Sequence, residues 1–426
     1  MKHLIRTSLA TSLLLTLYSV VAQAQTAFTA PGTIDSPILS DTEAATFTMA
    51  NYFKFIGNTH TPEFIPWIPK PIQTKPVDIT VAPASNSHVQ FHDIQQAINA
   101  AIQLHPDSAT PVTIRLQPGE YTGTVYIPED APPITLYGTG VKPTAVKITQ
   151  TIDSMFTPEQ YRNTVNPNNR YQSGDPAWEM YQTCATKTGT HVDTTCSAVV
   201  WSQSPKFQLK NLTIINSMID QADASTHQAV ALRTDGDQVQ LEHVRLIGRQ
   251  DTFFVNSSNR QNQYVTDHYS RAYIKDSYIE GDVDYVFGRA SAVFDHVTFH
   301  SVSSRESNST YIFAPDTPNW VDYGFLVIHS KLTCDNGFDD PTHIKLGRAW
   351  DQGASSTGYL PGTTSNGQLV IRDSLIENCF DLDAPWGNAA TTSRPFSGNI
   401  NPQRNLNDVH FNRLWLFHNT IMQTHW

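Results

Sequence analysis

Residues 275–281 read KDSYIEG, and the phrase returns along the chain as KNLTIIN (210–216), EHVRLIG (242–248), DHVTFHS (295–301), HSKLTCD (329–335) and RDSLIEN (372–378). Each copy runs polar-polar-apolar-x-apolar inside a short β-rich segment that ends in Gly, Asn or Asp. Successive copies lie roughly 20 to 45 residues apart, the length of one or two coils of a solenoid. A lone coil cannot bury its apolar face, whereas stacked coils share one core. The spacing therefore predicts an all-β parallel β-helix, with the irregular intervals taken up by long loops that border a cleft. A β-sandwich is the competing architecture. It favours tight two-residue turns at regular intervals, and Asp235-Gly236, Asn336-Gly337 and Asn366-Gly367 do not punctuate the chain in that way.

Upstream, FHDIQQAINAAIQLH (91–105) places Ile94, Ala97, Ile98, Ala101 and Ile102 at helical spacing, and this short helix is expected to cap one end of the solenoid. Residues 25–80 are rich in Pro, Thr and Ser and read as an extended N-terminal segment, leaving 81–426 as the catalytic domain. Residues 1–24 carry a charged start (Lys2, His3, Arg6), an apolar stretch from Leu9 to Val21 and an Ala22-Gln23-Ala24 cleavage site, the pattern of a secretory signal peptide. The apolar run is short of the roughly 20 residues a spanning helix needs. The mature form is therefore expected to be secreted, extracellular or periplasmic, with no membrane anchor.

Four cysteines in an exported chain fit disulfides. Cys184–Cys196 closes a short loop, and Cys334–Cys379 follows by elimination. A zinc site is the alternative, but no C-x-x-C or H-E-x-x-H spacing supports it. Residues 150–200 interrupt the β pattern with a long polar loop expected to form a lid or wall of a binding cleft. The C-terminal FNRLWLFHNT is a strand or helix packed on the outside. With 28 Lys and Arg against 39 Asp and Glu, the net charge is −11, and no basic stripe with interleaved aromatics points to nucleic acid.

Four polar clusters sit in β-like sequence: HQAVALRTDGD (227–237), GRQDTFFVN (248–256), GDVDYVFG (281–288) and LGRAW (346–350). In IEGDVDYVFG (279–288), read as one extended strand, Glu280, Asp282 and Asp284 share one face and Ile279, Val283, Tyr285 and Phe287 the other. Asp251 and Asp284 are 33 residues apart and Gln228 lies 23 before Asp251, about one coil each, so Gln228, Gln250, Asp251, Asp284 and Arg348 are expected to converge. Arg348 beside Asp284 favours its ionised form, and the aromatic flank of Asp251 favours a protonated acid. Glutamine amides can donate to a developing oxyanion. The set fits attack of a carboxylate on an ester carbonyl, with the second acid protonating the departing alcohol. Glu280 reads as solvated surface, and Asp282 has no assigned role.

At these residues the sequence resembles the pectin methylesterases (pectinesterases). The match begins at FHDIQQAINAA and passes through PGEYTGTVYIP, ITLYGTG, NLTIIN, QAVALRTDGD, GRQDTFF, YIEGDVDYVFG and LGRAW in family order. The resemblance implies a right-handed parallel β-helix that hydrolyses galacturonosyl methyl esters of pectin without cofactor or metal, as a monomer. It places Asp284 as nucleophile, Asp251 as general acid and then base, Gln228 and Gln250 as oxyanion donors and Arg348 as the residue orienting the nucleophile. Trp350, Tyr285 and Phe254 are the substrate-binding candidates. The chain departs from the family's usual residues at Asp282 (Thr), Tyr285 (Phe), Ala349 (Pro) and Gly123 (Glu). The 150–200 insertion and EGDVD resemble an enterobacterial-type branch that includes exported lipoprotein relatives, some described as acyl-CoA thioesterases. Polysaccharide-cleaving β-helix enzymes, polygalacturonase or lyase, are the alternative class. No G-x-S-x-G elbow offers a serine nucleophile.

Overall fold

A computed structural model describes residues 30–84, 88–107, 109–258 and 268–423. The predicted signal peptide, 1–24, lies outside the described residues. Apart from the antiparallel pair Phe55–Ile56 and Glu63–Phe64, the described strands form parallel sheets of ten, nine and seven strands, one strand of each sheet per coil in the central part of the chain, which is a parallel β-helix. The recurring phrase supplies its register. Ile214, Leu246, Ile279, Phe299, Leu332 and Ile376 stand directly opposite one another across successive pairings of the nine-stranded sheet. All six are buried in one continuous interior, and burying each such side chain contributes about 1.5–3 kcal/mol.

The polar start of each phrase has a backbone reason. Asn211, His243, Asp276, His296, His329 and Asp373 all take positive φ, between 48° and 58°, at the corner between the ten- and nine-stranded sheets. Asn, Asp and His enter this left-handed region more readily than other side chains carrying a Cβ. A one-residue left-handed corner turns the chain between sheets without a loop, so the coil repeats with little irregularity here.

The helix Ile94–Leu104 covers the first coils with Ile94, Ala97, Ile98 and Ala101 packed into the same core. Asp93 caps it by accepting from the Gln96 N–H at 3.0 Å. The N-terminal segment lies against the outside of the ten-stranded sheet, where Leu39, Phe47, Tyr52 and Phe53 meet Tyr273, Leu326, Val370 and Trp415. Its sheet begins at Ile79–Val81, paired with Val112–Leu116. Among the described residues no helix is long and apolar enough to cross a membrane. Cys184–Cys196 and Cys334–Cys379 are both disulfide-bonded, and no cysteine is free.

The structure corrects three local expectations. FNRLWLFHNT does not lie outside the solenoid: Arg413–Phe417 is the terminal strand of the ten-stranded sheet, in register with Gln368–Arg372. Residues 150–200 are not simply a polar loop. They hold the helices Pro158–Val165 and Trp178–Ala185, whose Tyr161, Val165, Met180 and Tyr181 form a second apolar cluster with Tyr126 and Trp201 of the coils. Each helix is only two turns long, so its few apolar residues, though at helical spacing, give too short a pattern to stand out in a polar stretch. Finally, IEGDVDYVFG is not one strand. Tyr278–Gly281 belongs to the nine-stranded sheet and Val283–Gly288 to the seven-stranded sheet, with Asp282 at the corner.

Candidate active site

The seven-stranded sheet carries the site. Its strands include Leu232–Thr234, Phe253–Val255, Val283–Gly288, Thr310–Pro315 and Ile344–Gly347, paired in that order. Leu232–Thr234, Phe253–Val255 and Val283–Gly288 lie within the polar clusters and Ile344–Gly347 runs into the fourth, so the coil spacing brings the clusters together. Gln228, Gln250, Asp251, Phe254, Asp284, Phe287, Arg348 and Trp350 all line one cleft of about 770 Å³. Thr183, Lys187, Asp193, Thr194 and Thr195 form the wall contributed by the 150–200 insertion. Cys184–Cys196 ties the helix of that wall to its return segment.

Asp251 and Asp284 both occupy positive-φ backbone, at 67° and 50°. In the second strand this opens a bulge: pairing with the next coil shifts between Val283 and Val286. Alternation is lost there, so Asp284 turns to the cleft while Tyr285 and Val286 both enter the core and Phe287 faces out. Tyr285 is therefore not a substrate-binding residue: it is 0% exposed, and its hydroxyl is 3.1 Å from Ser301 Oγ. The bulge breaks the two-residue period that put Phe287 on the same face as Tyr285, while Tyr285 itself lies opposite Asp284 as that period has it. Gly281 is needed at the approach to this corner, because a Cβ there would stand 2.3 Å from Tyr285 Cβ and 2.7 Å from the Arg249 carbonyl oxygen.

Arg348 grips Asp284 with a two-pronged fork, Nε to Oδ1 at 2.8 Å and Nη2 to Oδ2 at 2.6 Å. The guanidinium also lies over the Tyr311 ring, 4.0 Å from its centroid. Such a planar fork fixes the carboxylate's orientation as a point charge would not. Asp251 is only 8% exposed, and burial, followed by the neighbouring Asp284 charge, pushes its carboxyl well above the usual range. Its backbone N–H donates to the Val283 carbonyl at 3.0 Å, tying the two aspartate corners together.

The glutamine amides are oriented through their oxygens. Ser154 Oγ donates to Gln228 Oε1 at 2.7 Å, and the His227 N–H donates to Gln250 Oε1 at 3.1 Å. With the oxygens engaged as acceptors, the amide nitrogens are the groups left to donate. Phe254 and Phe287 stack at 4.2 Å with an interplanar angle of 8°, and Trp350 stands edge-on to them, its indole N–H donating to Thr391 Oγ1 at 3.2 Å.

Several residues of the site's support escape sequence reasoning. Glu280 is not solvated surface, since it accepts from Arg249 Nη1 at 2.9 Å and from the Tyr278 hydroxyl at 2.8 Å. Asp282 is wholly buried against Arg305. Asp153, Ser154 and His227 set the glutamines, and Lys187 brings a cation to the wall. His227 could have been found by its adjacency to Gln228, but Arg305, within an unpatterned polar loop, had no signal at all.

The family model described as Pectinesterase matches residues 159–361. Pectinesterase B of Dickeya dadantii (strain 3937) is 60% identical over 395 residues, covering 92% of this chain and 91% of the relative. YbhC of Escherichia coli (strain K12), named a putative acyl-CoA thioester hydrolase, is 44% identical over 400 residues, 92% of this chain and 89% of the relative. The crystal structure of E. coli YbhC matches with a TM-score of 0.84 over 92% of this chain and 96% of that one. The structure of rice weevil pectin methyl esterase matches with a TM-score of 0.80 at 37% identity, over 92% and 98%.

Proposed function

The chain belongs to the pectinesterase family, with the right-handed parallel β-helix of that family, and from this premise we propose that it hydrolyses methyl esters of galacturonosyl residues in pectin. The observation that carries the reading is the division between its two cleft aspartates: Asp284 oriented in the two-pronged Arg348 fork, and Asp251 pushed toward its protonated form beside it. An Asp284 oxygen attacks the ester carbonyl carbon. The carbonyl oxygen takes the negative charge and accepts from the Gln228 and Gln250 amides. As the intermediate collapses, the bond to the methoxy oxygen breaks, Asp251 gives its proton to that oxygen, and methanol leaves. An anhydride between Asp284 and the galacturonosyl carbonyl remains. Asp251, now a carboxylate, takes a proton from water, the hydroxide attacks the galacturonosyl carbonyl, and Asp284 departs as a carboxylate with free galacturonate as product.

Trp350, half-buried, supplies an apolar face on which a sugar can rest, backed by the buried Phe254–Phe287 stack. Polygalacturonase or lyase chemistry is not favoured. The mature protein is read as a secreted monomer acting on methyl-esterified homogalacturonan, and the two disulfides fit an oxidising compartment. Incubation with highly methylated pectin tests the reading. Methanol and acid release without viscosity loss or unsaturated product supports it. Hydrolysis of acyl-CoA with no methanol from pectin would replace it with the activity named for the E. coli relative.

A further inference from the structure

Asp282, two residues before the nucleophile, is buried in an ion pair. Its Oδ2 accepts from Arg305 Nε at 2.8 Å and its Oδ1 from Nη2 at 2.9 Å, with side-chain exposures of 0% and 1%. A buried pair of this kind is not kept for net stability, because apolar residues of similar volume commonly do as well. Its connections say what it orders. On one side Asp282 Oδ1 also accepts from the Val283 N–H at 2.6 Å, and the Val283 carbonyl accepts the Asp251 N–H. The carboxylate therefore braces the peptide between the two aspartate corners.

On the other side Arg305 Nη1 donates to the carbonyls of Asp223 and Ser225, both at 2.9 Å. This segment leads into His227, whose N–H orients Gln250 and whose Nδ1 is 2.6 Å from Asp153 Oδ2. Asp153 precedes Ser154, the donor to Gln228 Oε1, and the Ser154 N–H donates to the Gln228 carbonyl at 2.9 Å. Arg249 grips the same segment further back, through Asp220 at 2.9 and 3.1 Å.

We propose that Asp282 and Arg305 are positioning residues for the hydrolysis, one buried ion pair that holds the 223–227 segment, and through it both oxyanion amides, in register with the nucleophile's corner. This inference rests on the ester-hydrolysis reading and adds to it a device that touches no substrate. The amides are needed most when charge develops on the carbonyl oxygen, so loosening them lowers kcat rather than raising KM.

The test uses the full chain with Asp282→Asn, Arg305→Lys and the pair Asp282→Asn/Arg305→Gln, which leaves no unpaired buried charge. Methanol release from methylated pectin is followed across pH, alongside thermal unfolding. The expected result is a kcat about 10- to 100-fold lower in Asp282→Asn and in the pair, with KM within about 2-fold, since small misplacements of reacting groups cost rates of that order. Arg305→Lys, which keeps the charge but not the planar fork, shows a smaller loss. A second readout separates positioning from simple structural support. The charged groups about Asp251 are Asp284, Arg348, Asp282 and Arg305. Removing the Asp282 charge alone moves the alkaline limb of the kcat profile to lower pH, and the paired variant returns it toward the starting position. A folded paired variant with unchanged kcat overturns the proposal, as does a loss that appears only in KM or only in thermal stability. Absence of methanol release by the unmodified protein overturns the functional reading and this proposal with it. Turnover by that protein with unchanged variants overturns this proposal alone.

Discussion

The helix uses the same backbone device at two corners, to different ends. At the corner between the ten- and nine-stranded sheets, left-handed residues Asn211, His243, Asp276, His296, His329 and Asp373 recur coil after coil. At the corner entering the seven-stranded sheet, Asp251 and Asp284 take the same conformation. The first row lies toward the surface and its side chains meet assorted neighbours: His296 and His329 share Asp295 Oδ1 at 2.7 and 2.9 Å, and Asn211 donates to the Gly138 and Gly140 carbonyls at 2.9 and 2.7 Å. The second pair lies on a cleft floor beneath the insertion wall, nearly buried, with an arginine fork on one acid and burial acting on the other. Left-handed Asp is thus a cheap way to turn a coil. It becomes chemical only where surrounding structure removes water and supplies a partner.

Exchanging residues between the two corners breaks this comparison most directly. Asp284→Asn should lower kcat by about 10⁴- to 10⁶-fold, up to the loss seen when a nucleophile is removed, and Asp284→Gly, which keeps the backbone easy, should be no better. Asp276→Gly at the other corner should leave methanol release unchanged. Equal effects on activity at the two positions would show that the cleft surroundings do not matter.

Asp251→Asn should cost about 10² to 10⁴ in kcat, the usual share of a general acid and base. The same change should raise the melting temperature at neutral pH. A carboxyl pushed up in the folded state binds more protons there than in the unfolded chain, so its presence lowers stability as pH rises from the unfolded value, about 3.9, through the folded one. The stabilising effect of the amide should therefore vanish below about pH 4. For the same reason the alkaline limb of the wild-type kcat profile should fall as Asp251 loses its proton. Melting curves at pH 3.5 and 7 check the first point, and initial rates across pH the second.

Ile279→Ala, in the middle of the recurring phrase, should destabilise by about 2–5 kcal/mol, measured by denaturant unfolding. Activity per folded molecule should stay close to that of the parent. The smallest effect is expected from Asp276→Ala, a loss of about 1–2 kcal/mol from placing a Cβ without a polar side chain in the left-handed region. Asp276→Gly should recover it.

The coil and its register were legible because burial imposes a repeat that survives in the residues themselves: one apolar position per phrase, and Asn, Asp or His where the backbone turns left-handed. Convergence of Gln228, Gln250, Asp251, Asp284 and Arg348 in one cleft was legible for the same reason, since coil spacing converts sequence distance into adjacency. Tyr285 was misjudged as a substrate contact although alternation set it opposite Asp284, and Phe287 was misplaced because the bulge breaks the alternation that gave it the same face as Tyr285. Glu280 was misjudged and Asp282 left without a role because a carboxylate's meaning depends on its partner, and nothing in the sequence says that Arg249 and Arg305, 31 and 23 residues away, meet these acids.

What the sequence determined by itself is the repeating part of the molecule: the β-helix, its core residues, the capping helix, the disulfide pairs and the chemical types gathered in the cleft. What only the tertiary structure decided is the environment of each polar group. The fork on Asp284, the burial of Asp251, the wall from residues 183–195 and the buried pair behind the glutamines all arise from long-range contacts. Periodicity reports which side chains leave water, because burial acts on every coil alike. It says nothing of which charge each buried polar group meets, because that depends on single contacts made once.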